Sequence, residues 1–370
     1  EPITLTGLQR GISNLYATGL FRIVTAIFER NVDGSWRINM HVTENPSALI
    51  RLGLSYFGEH ADTQGERLTR GFAEVLYPSP FNYAARMVIF GSFGSYDKIF
   101  RTSFLADKIF GLPLNYDLTF FSQDIKRDTY STSHQELGNY QEDRWGGQFK
   151  FGGTARAWGM LEFSTRLEHH RTEYPTHKKN YNLGAVGARL ALDTEDRSPF
   201  PGNGVKMITQ AESATEVLGS VEKFSKLSGE FEAYITPINR TTLGMRFSGA
   251  TADRLTPRDE QFKMGGMYSF PGLHLDQLIG TLQLLGGAEV RYDLVSRVFA
   301  DSYLGVRYDL GSSWDDPEPQ LTREDWMQSI STYIAFDTLL GPIMLQWSVL
   351  FDGGRLTKQD ILYIQLGNKF

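Results

Sequence analysis

The segment Thr281-Leu-Gln-Leu-Leu-Gly-Gly-Ala-Glu-Val-Arg-Tyr-Asp-Leu294 alternates apolar and polar side chains. Because successive side chains of a β-strand point to opposite faces, it predicts a strand with one apolar and one charged face. The segment Tyr303–Gly311 repeats the pattern. In a soluble sandwich the apolar face would pack in a core. In a transmembrane barrel it would contact lipid, and the charged face would line the lumen.

Similar segments follow one another from Leu49–Phe57 to Ile361–Phe370, separated by Gly, Pro, Asp or Asn. An even number of strands returns both ends of a bacterial barrel to the same side of the membrane. The sequence therefore predicts an all-β fold, an antiparallel transmembrane β-barrel of about sixteen strands over residues 47–370. The polar stretch Arg127–Gln141 is predicted to be a loop. A soluble sandwich or propeller is the alternative, but it would need pairs of apolar faces packed sheet on sheet.

Composition excludes several classes of protein. The chain has 22% charged residues and no apolar run of about 18 residues, so no transmembrane helix is predicted. Its aromatic content of 13% suits strands with aromatic girdles. It contains no Cys and therefore no disulfide. The net charge of -6 comes without a Lys/Arg stripe, which argues against a nucleic-acid partner.

Residues 1–46 have a different pattern. Leu8–Thr18 has apolar residues at helical spacing, and Phe21–Arg30 and Trp36–Glu44 are predicted strands joined by a turn at Asn31–Gly34. So short a helix–strand–strand unit cannot bury a good core by itself. We expect further chain to precede it.

This N-terminal part carries the first resemblance to a known family. Leu15-Tyr-Ala-Thr-Gly-Leu-Phe21 and Val42-Thr-Glu-Asn-Pro46 resemble the second half of a POTRA domain. POTRA is the periplasmic module of the BamA–TamA–FhaC superfamily of outer-membrane transporters. The resemblance implies that residues 1–46 are the C-terminal half of a periplasmic POTRA domain. It also implies that residues 47–370 form a barrel in the bacterial outer membrane.

Further motifs of the superfamily follow in the expected order. Gly287–Arg291 and Val306–Gly311 resemble the strands after its inward loop. The segment from Asp193 to Gly204 resembles its periplasmic-turn motif, and the motif positions are Asp193, Asp196, Phe200, Pro201 and Gly204. The last segment resembles its closing strand, which implies an assembly signal at Leu362, Ile364, Leu366 and the terminal Phe370.

The inward loop departs from the family pattern. Its motif positions here are Gly265, Gly266, Phe270, Pro271 and Gly272. The family usually has Arg where Pro271 stands, and the resemblance implies that this Arg would contact Asp309. We therefore expect Asp309 to pair instead with Arg307 or Arg291. The predicted lumen network is Glu289, Arg291, Arg307 and Asp309. The alternative is that the loop is only a turn rich in Gly and Pro.

The resemblance also implies a seam. The barrel would close by pairing Leu49–Phe57 with Ile361–Phe370, and this junction is expected to open sideways for a substrate. Gly53 and Gly367 fall within these predicted strands, where glycine weakens pairing. The alternative is that they only allow tight curvature.

No enzymatic site is predicted for this region. The chain has no G-x-S-x-G nucleophile elbow. His169 and His170 are neighbours on a predicted strand and point to opposite faces, so they cannot act on one ligand. No Asp/His/Glu cluster has the spacing of metal ligands. We expect neither a metal nor a cofactor.

The function implied by the resemblance is polypeptide translocation or insertion without ATP. The chain looks most like the patatin-like, PlpD-type (type Vd) secretion proteins, which export their own N-terminal passenger, a patatin-like phospholipase. The alternatives are a BamA- or TamA-like assembly factor and an FhaC-like two-partner secretion transporter. A passive porin fits less well. Expected partners are outer-membrane lipid, an unfolded polypeptide passenger or client, periplasmic chaperones and the barrel assembly machinery, with a homo-oligomer as a further option.

Overall fold

The computed structural model describes most of the chain. It covers residues 21–31, 34–44, 48–60, 67–78, 85–106, 114–130, 136–155, 159–294, 301–319, 325–338 and 341–367, with residues 8, 12, 112 and 322 singly. Strands β1 (Phe21–Arg30) and β2 (Trp36–Glu44) form a two-stranded antiparallel sheet. Leu8 and Ile12 are helical. The rest of the helix predicted at Leu8–Thr18 lies outside the described residues, and no complete POTRA domain is shown.

Sixteen antiparallel strands form a closed barrel, which confirms the predicted fold class. In chain order they are β3 (Leu49–His60), β4 (Arg67–Pro78), β5 (Arg86–Gly94), β6 (Asp97–Ala106), β7 (Leu114–Tyr130), β8 (Glu136–Ala155), β9 (Gly159–Glu173), β10 (Lys178–Asp193), β11 (Gly204–Ala214), β12 (Phe224–Ile238), β13 (Thr241–Ala252), β16 (Leu282–Leu294), β17 (Asp301–Trp314), β18 (Met327–Thr338), β19 (Gly341–Asp352) and β20 (Arg355–Leu366). Strand β20 pairs with β3 and closes the sheet. Two short strands, β14 (Phe262–Met264) and β15 (Leu278–Gly280), pair with each other outside the barrel wall.

The alternation of side chains shows whether lipid or water surrounds the barrel. On β17 the outward Val306 is 50% exposed, whereas Asp309 on the inner face is 0% exposed. The exposed surface is thus apolar and the interior is charged, the reverse of a soluble sandwich. This arrangement is the one that lipid around a barrel requires. Among the described residues, no helix is long and apolar enough to cross a membrane.

The predicted loop at Arg127–Gln141 is wrong. Strand β7 continues to Tyr130 and β8 begins at Glu136, so Arg127 pairs with Tyr140 within a long hairpin. Where strands extend beyond the lipid, their outer faces need not be apolar. Hydropathy therefore marks the segment as a loop, although the backbone ladder extends into it up to Tyr130 and from Glu136 onward.

Two connections matter for the lumen. We call the end where β3 begins the lower rim and the opposite end the upper rim. The inward loop, residues 253–281 between β13 and β16, starts at the upper rim and folds into the barrel. Its Met264, Phe270 and Leu273 are completely buried against Met327 and Leu350 of the wall. The lower turn, residues 194–203, joins β10 to β11 at the lower rim.

Candidate functional site: the plugged lumen

Two wall arginines hold the tip of the inward loop. Arg307 on β17 donates to the carbonyl oxygens of Met267 (3.2 Å) and Ser269 (2.9 Å). Arg246 on β13 donates to the carbonyl oxygens of Tyr268 and Ser269. Both guanidinium groups thus bind the main chain of the loop, and we call this pair the arginine clamp.

Asp309, on the inner face of the barrel wall, holds the two guanidinium groups of the clamp in position. Its Oδ1 accepts hydrogen bonds from Arg307 Nε at 3.0 Å and from Arg246 Nη2 at 2.7 Å. Gly287 on β16 lies directly opposite Asp309. A Cβ atom there would sit 2.5 Å from Asp309 Oδ1 and 2.8 Å from Arg246 Nε. Glycine at this position therefore leaves the space in which the two residues meet.

Strand β20 holds the other side of the loop tip. Tyr363 Oη lies within hydrogen-bonding distance of the carbonyl oxygens of Pro271 (2.9 Å) and Leu273 (2.7 Å). Gln359 Nε2 donates to the carbonyl oxygen of Gly272 at 3.2 Å. Phe270 is completely buried in the apolar cluster that includes Met327 and Leu350 of the wall. The tip is therefore fixed by polar bonds to its backbone and by one buried aromatic ring.

Two glycines shape the start of the tip. Gly265 has φ of 133° and Gly266 has φ of 84°, a conformation that residues with a Cβ rarely adopt. A Cβ on Gly265 would lie 2.0 Å from the carbonyl oxygen of His274 on the returning segment. The inward-loop positions selected from the sequence thus lie together at the loop tip.

The lower turn enters the opposite mouth of the lumen. Phe200 is buried, with its ring 4.7 Å from that of Tyr303 on β17. Arg291 on β16 donates to the carbonyl oxygen of Pro201 and packs its guanidinium against Phe200, Tyr234 and Tyr303, 5.6–5.8 Å from each ring centroid. Cation–π contacts of this kind are strongest where water is excluded.

Hydrogen bonds within the lower turn keep its shape. Asp196 Oδ1 accepts from the Gly202 amide at 2.8 Å, and Asp193 Oδ1 accepts from the Glu195 amide at 3.0 Å. Burial would raise the pKa of Asp196, but backbone amides, chiefly those of Asn203 and Gly202, hold it below its ordinary value. Gly204 has φ of 119° where the chain enters β11.

A third cluster anchors the base of the inward loop to the upper wall. Glu260 pairs with Arg144 (3.0 Å) on β8, Arg166 (3.0 Å) on β9 and Lys226 (2.6 Å) on β12. Burial would raise the pKa of Glu260, but these positive charges hold it well below its ordinary range. The carboxylate is therefore ionised near neutral pH and binds three wall strands at once.

Asp259, the neighbour of Glu260, binds a buried histidine. His170 Nδ1 lies 3.0 Å from Asp259 Oδ2, and Tyr181 Oη donates to the same oxygen at 2.7 Å. Burial opposes ionisation of Asp259, but the bonds from His170 and Tyr181 hold its pKa below the ordinary value. This loop–wall contact was missed in the sequence because residues 170 and 259 lie far apart in the chain.

The spacing of Asp, His and Glu in the sequence indicated no cluster of metal ligands, but the fold brings Glu168, His170 and Glu260 together. Ligand-type atoms of Glu168, His170 and Glu260 lie within 4.8 Å of one another. Strand alternation places Glu168 and His170 on one face, and the loop adds Glu260. Because Arg144 and Arg166 already bind these carboxylates, the cluster is built as an ion-pair network.

Residues 84–370 match the family model for the Omp85 superfamily domain. The chain belongs to the Omp85 superfamily. Membership makes it an outer-membrane β-barrel of protein transport. No curated protein sequence matches the chain.

Solved structures share the Omp85 fold at low sequence identity. BamA from Haemophilus ducreyi lacking POTRA domains 1–3 has a TM-score of 0.76 at 12% identity, covering 98% of this chain and 78% of that one. CdiB from Acinetobacter baumannii has a TM-score of 0.66 at 10% identity, covering 99% and 68%. CdiB from Escherichia coli has a TM-score of 0.62 at 12% identity, covering 98% and 71%. At these identities the similarity shows the fold alone.

The structure shows how Asp309 is paired although Pro271 stands where the family usually has an arginine. The expected loop arginine is absent from this Omp85 chain, and Asp309 binds Arg307 and Arg246 of the wall instead. The expectation that Arg291 could pair with Asp309 is wrong, because Arg291 binds Glu289 (3.1 Å) and the lower turn. The predicted lumen network is therefore divided between the clamp and the lower turn.

Arg246 is a clamp residue that was not predicted from the sequence. It lies on the inner face of β13, between the outward Met245 and Phe247, which are half-exposed. Strand alternation alone would place it in the lumen. The contact with Asp309 also requires β16 to stand between β13 and β17 in the observed register, which local sequence does not reveal.

The closing strand lies as its alternation indicates. Leu362, Ile364 and Leu366 alternate with Ile361, Tyr363 and Gln365, which are buried on the lumen side. Phe370 lies outside the described residues. Within the part that is described, β20 pairs with β3 from Leu362 opposite His60 to Leu366 opposite Tyr56.

The two seam glycines differ from expectation. Gly53 lies in β3, but the ring of Phe72 on β4 occupies the space where its Cβ would be, at 2.2 Å. Gly367 follows β20 rather than lying within it. Its φ is 87°, and its amide donates to the Pro342 carbonyl on β19 at 2.9 Å. Gly53 thus makes room for an aromatic side chain, and Gly367 redirects the chain after the last strand.

Proposed function

We propose that this chain is the translocator of a type Vd secretion protein, which exports its own N-terminal patatin-like phospholipase passenger to the cell surface. One observation carries the proposal: a loop folds into the lumen, and its tip is held by exchangeable hydrogen bonds. A passive porin needs an open channel, whereas a polypeptide transporter needs a seal that a substrate can displace. The resemblance of residues 1–46 to half of one POTRA domain, directly before the barrel, supports the type Vd assignment.

The β1–β2 sheet supports a periplasmic module at residues 1–46. Phe28 and Trp36 share one face of this sheet and are 52% and 64% exposed. Two strands with an exposed apolar face are not stable alone in water. Such a face fits a larger POTRA domain whose remaining elements cover it. We place this module in the periplasm, next to the lower rim.

A second candidate function is insertion of client barrels, as by a BamA- or TamA-like assembly factor. The seam favours this alternative, because β20 and β3 pair over a shorter stretch than the long β7–β8 hairpin among the described residues. A weakly paired seam would let a client strand leave sideways into lipid. A two-partner transporter would use the same barrel with a separately encoded substrate.

The test is surface display of the passenger. The full precursor is expressed in a Gram-negative host, and its N-terminal domain is probed on intact cells with protease and antibody. Surface exposure that depends on the barrel supports self-export. A passenger that stays periplasmic while other outer-membrane proteins decline on depletion of this chain would favour the assembly role. If neither changes, both functions are contradicted.

A further inference from the structure

The side chains of Phe270 and Leu273 pack against the wall, and Tyr268 Oη donates to Gln365. The other polar contacts from the lumen wall to the loop tip go to its backbone. Between residues 267 and 273, side chains of β13, β17 and β20 bind carbonyl oxygens along most of the segment. These carbonyls belong to Met267, Tyr268, Ser269, Pro271, Gly272 and Leu273. The donors are Arg246, Arg307, Gln359 and Tyr363.

Such contacts do not depend on the sequence of the bound segment. A carbonyl oxygen is present at every residue of any polypeptide, and consecutive residues of an extended chain are about 3.3–3.6 Å apart. An arginine offers five N–H donors in a fixed planar fork, which suits closely spaced acceptors. This explains how the tip can carry Pro271 without losing its hold on the wall.

Space for a second peptide adjoins the clamp. A cavity of about 360 Å³ lies between the loop tip and the lower turn, and Arg246, Arg307 and Glu230 contribute to its lining. Its volume lies within the range of ligand pockets. Arg246 is only partly buried in the described structure, so a chain entering from the periplasmic side would meet it.

We propose that Arg246, Arg307, Gln359 and Tyr363 form a docking track for peptide backbone. The inward loop occupies this track at rest, and the carbonyl groups of a polypeptide in transit replace it. This inference rests on the proposed transport of polypeptide. Exchange of one set of carbonyl acceptors for another leaves the number of hydrogen bonds unchanged, so the loop can be displaced without leaving buried donors unpaired.

The experiment measures current block in planar bilayers containing the purified full chain. Two synthetic peptides are added from the periplasmic side: residues 264–275, and the same composition in scrambled order. If the track recognises only the peptide backbone, the two peptides should block the channel with affinities within about threefold of each other. Arg246→Met and Arg307→Met should weaken block by both peptides about tenfold or more, equivalent to about 1.4 kcal/mol.

The same variants distinguish a docking track for peptides from a lock that only holds the inward loop. If the arginines only lock the loop, Arg246→Met will raise the basal conductance, and peptide block will stay equal or become stronger because the lumen is emptied. That result would overturn the docking track. Arg189→Met, which removes a wall arginine paired with Glu162, controls for the loss of one positive charge. Arg246→Lys keeps the charge but not the fork, and serves if the Met variant fails to fold.

Failure of the track and failure of transport give different results. Surface display of the passenger without peptide block by either peptide would overturn the track and leave the proposed function intact. Peptide block that requires both arginines, in a chain that displays no passenger and assembles no client, would support peptide docking and overturn the transport function. Strong preference for residues 264–275 over the scrambled peptide would show side-chain recognition and contradict backbone reading.

Discussion

Arg246 and Asp309 form a hydrogen-bonded ion pair of 2.7 Å across an intervening strand, although they are 63 residues apart in the chain. Strand β16 lies between their strands, and its Gly287 leaves the gap through which they meet. The pair fixes the guanidinium that binds the loop tip. The lock of the inward loop thus depends on a residue without a side chain.

Gly287→Ala should disrupt the clamp. Its Cβ would overlap Asp309 and Arg246, and overpacking of this kind costs about 1–3 kcal/mol. We expect a lower midpoint of denaturant unfolding and a higher channel conductance. Gly286→Ala is the matched control, because its Cβ would meet only the ring of Phe247 at 3.5 Å. Equal effects of the two substitutions would contradict the role of Gly287.

Asp309→Ala should destabilise the barrel strongly. It leaves Arg246 and Arg307 without their shared carboxylate, and removing one partner of a buried pair costs about 3–5 kcal/mol. In double variants, Arg246→Ala and Arg307→Ala should add little to this loss because all three residues act together. Arg291→Ala, whose contacts lie in the lower turn, should add more nearly in full. Unfolding free energies measured by denaturant titration give these couplings.

The outer face of β17 should not accept charge. Val306→Arg places a cation in the apolar belt, which costs about 2–4 kcal/mol near the middle of the membrane. We expect slower assembly and less of the heat-modifiable folded form on gels. Val306→Leu is the control and should assemble normally. Normal folding of the Arg variant would show that this face does not contact lipid.

A disulfide across the seam tests lateral opening. Tyr56 and Leu366 are paired across β3 and β20, so cysteines at both positions should cross-link on oxidation. If the substrate leaves sideways, oxidation should stop passenger export or client insertion, and a reductant should restore it. A pair at Leu345 and Ile364 locks β19 to β20 away from the seam and should have no effect. Full activity with the seam quantitatively cross-linked leaves the lumen as the only route.

Acid should loosen the base of the inward loop. Glu260 has an ordinary pKa of 4.5 that its cationic partners lower further. Its stabilising contribution is therefore complete above pH 4.5 and is lost only as the pH falls through the lowered value. We expect constant single-channel conductance from pH 7 to pH 5 and a rise well below pH 4.5. Glu260→Gln should raise the conductance at neutral pH and flatten this rise. Glu162→Gln, which affects a wall pair only, should do neither.

Local alternation was enough to predict the strands and the two faces of each. Alternation in segments such as Thr281–Leu294 is a local property, because each side chain reports the environment of its own face. For the same reason the outward Val306 and the inward Asp309 could be assigned without knowing any strand neighbour. The inward loop and the lower turn were located through their resemblance to motifs of the superfamily. The extent of the β7–β8 hairpin was misjudged, because its outer face is no longer apolar beyond the lipid. The end of the closing strand was misjudged as well, because Gly367 follows β20.

Which charged side chains pair with one another depends on the complete fold. From the sequence, Asp309 could have paired with either Arg291 or Arg307. The register of β16 between β13 and β17 places Arg246 next to Asp309 and places Arg291 at the lower turn. His170 finds Asp259 because the loop folds back into the lumen. Such partners depend on strand order, register and loop path, which are set by long-range pairing across the whole barrel and leave no trace in the residues next to each side chain.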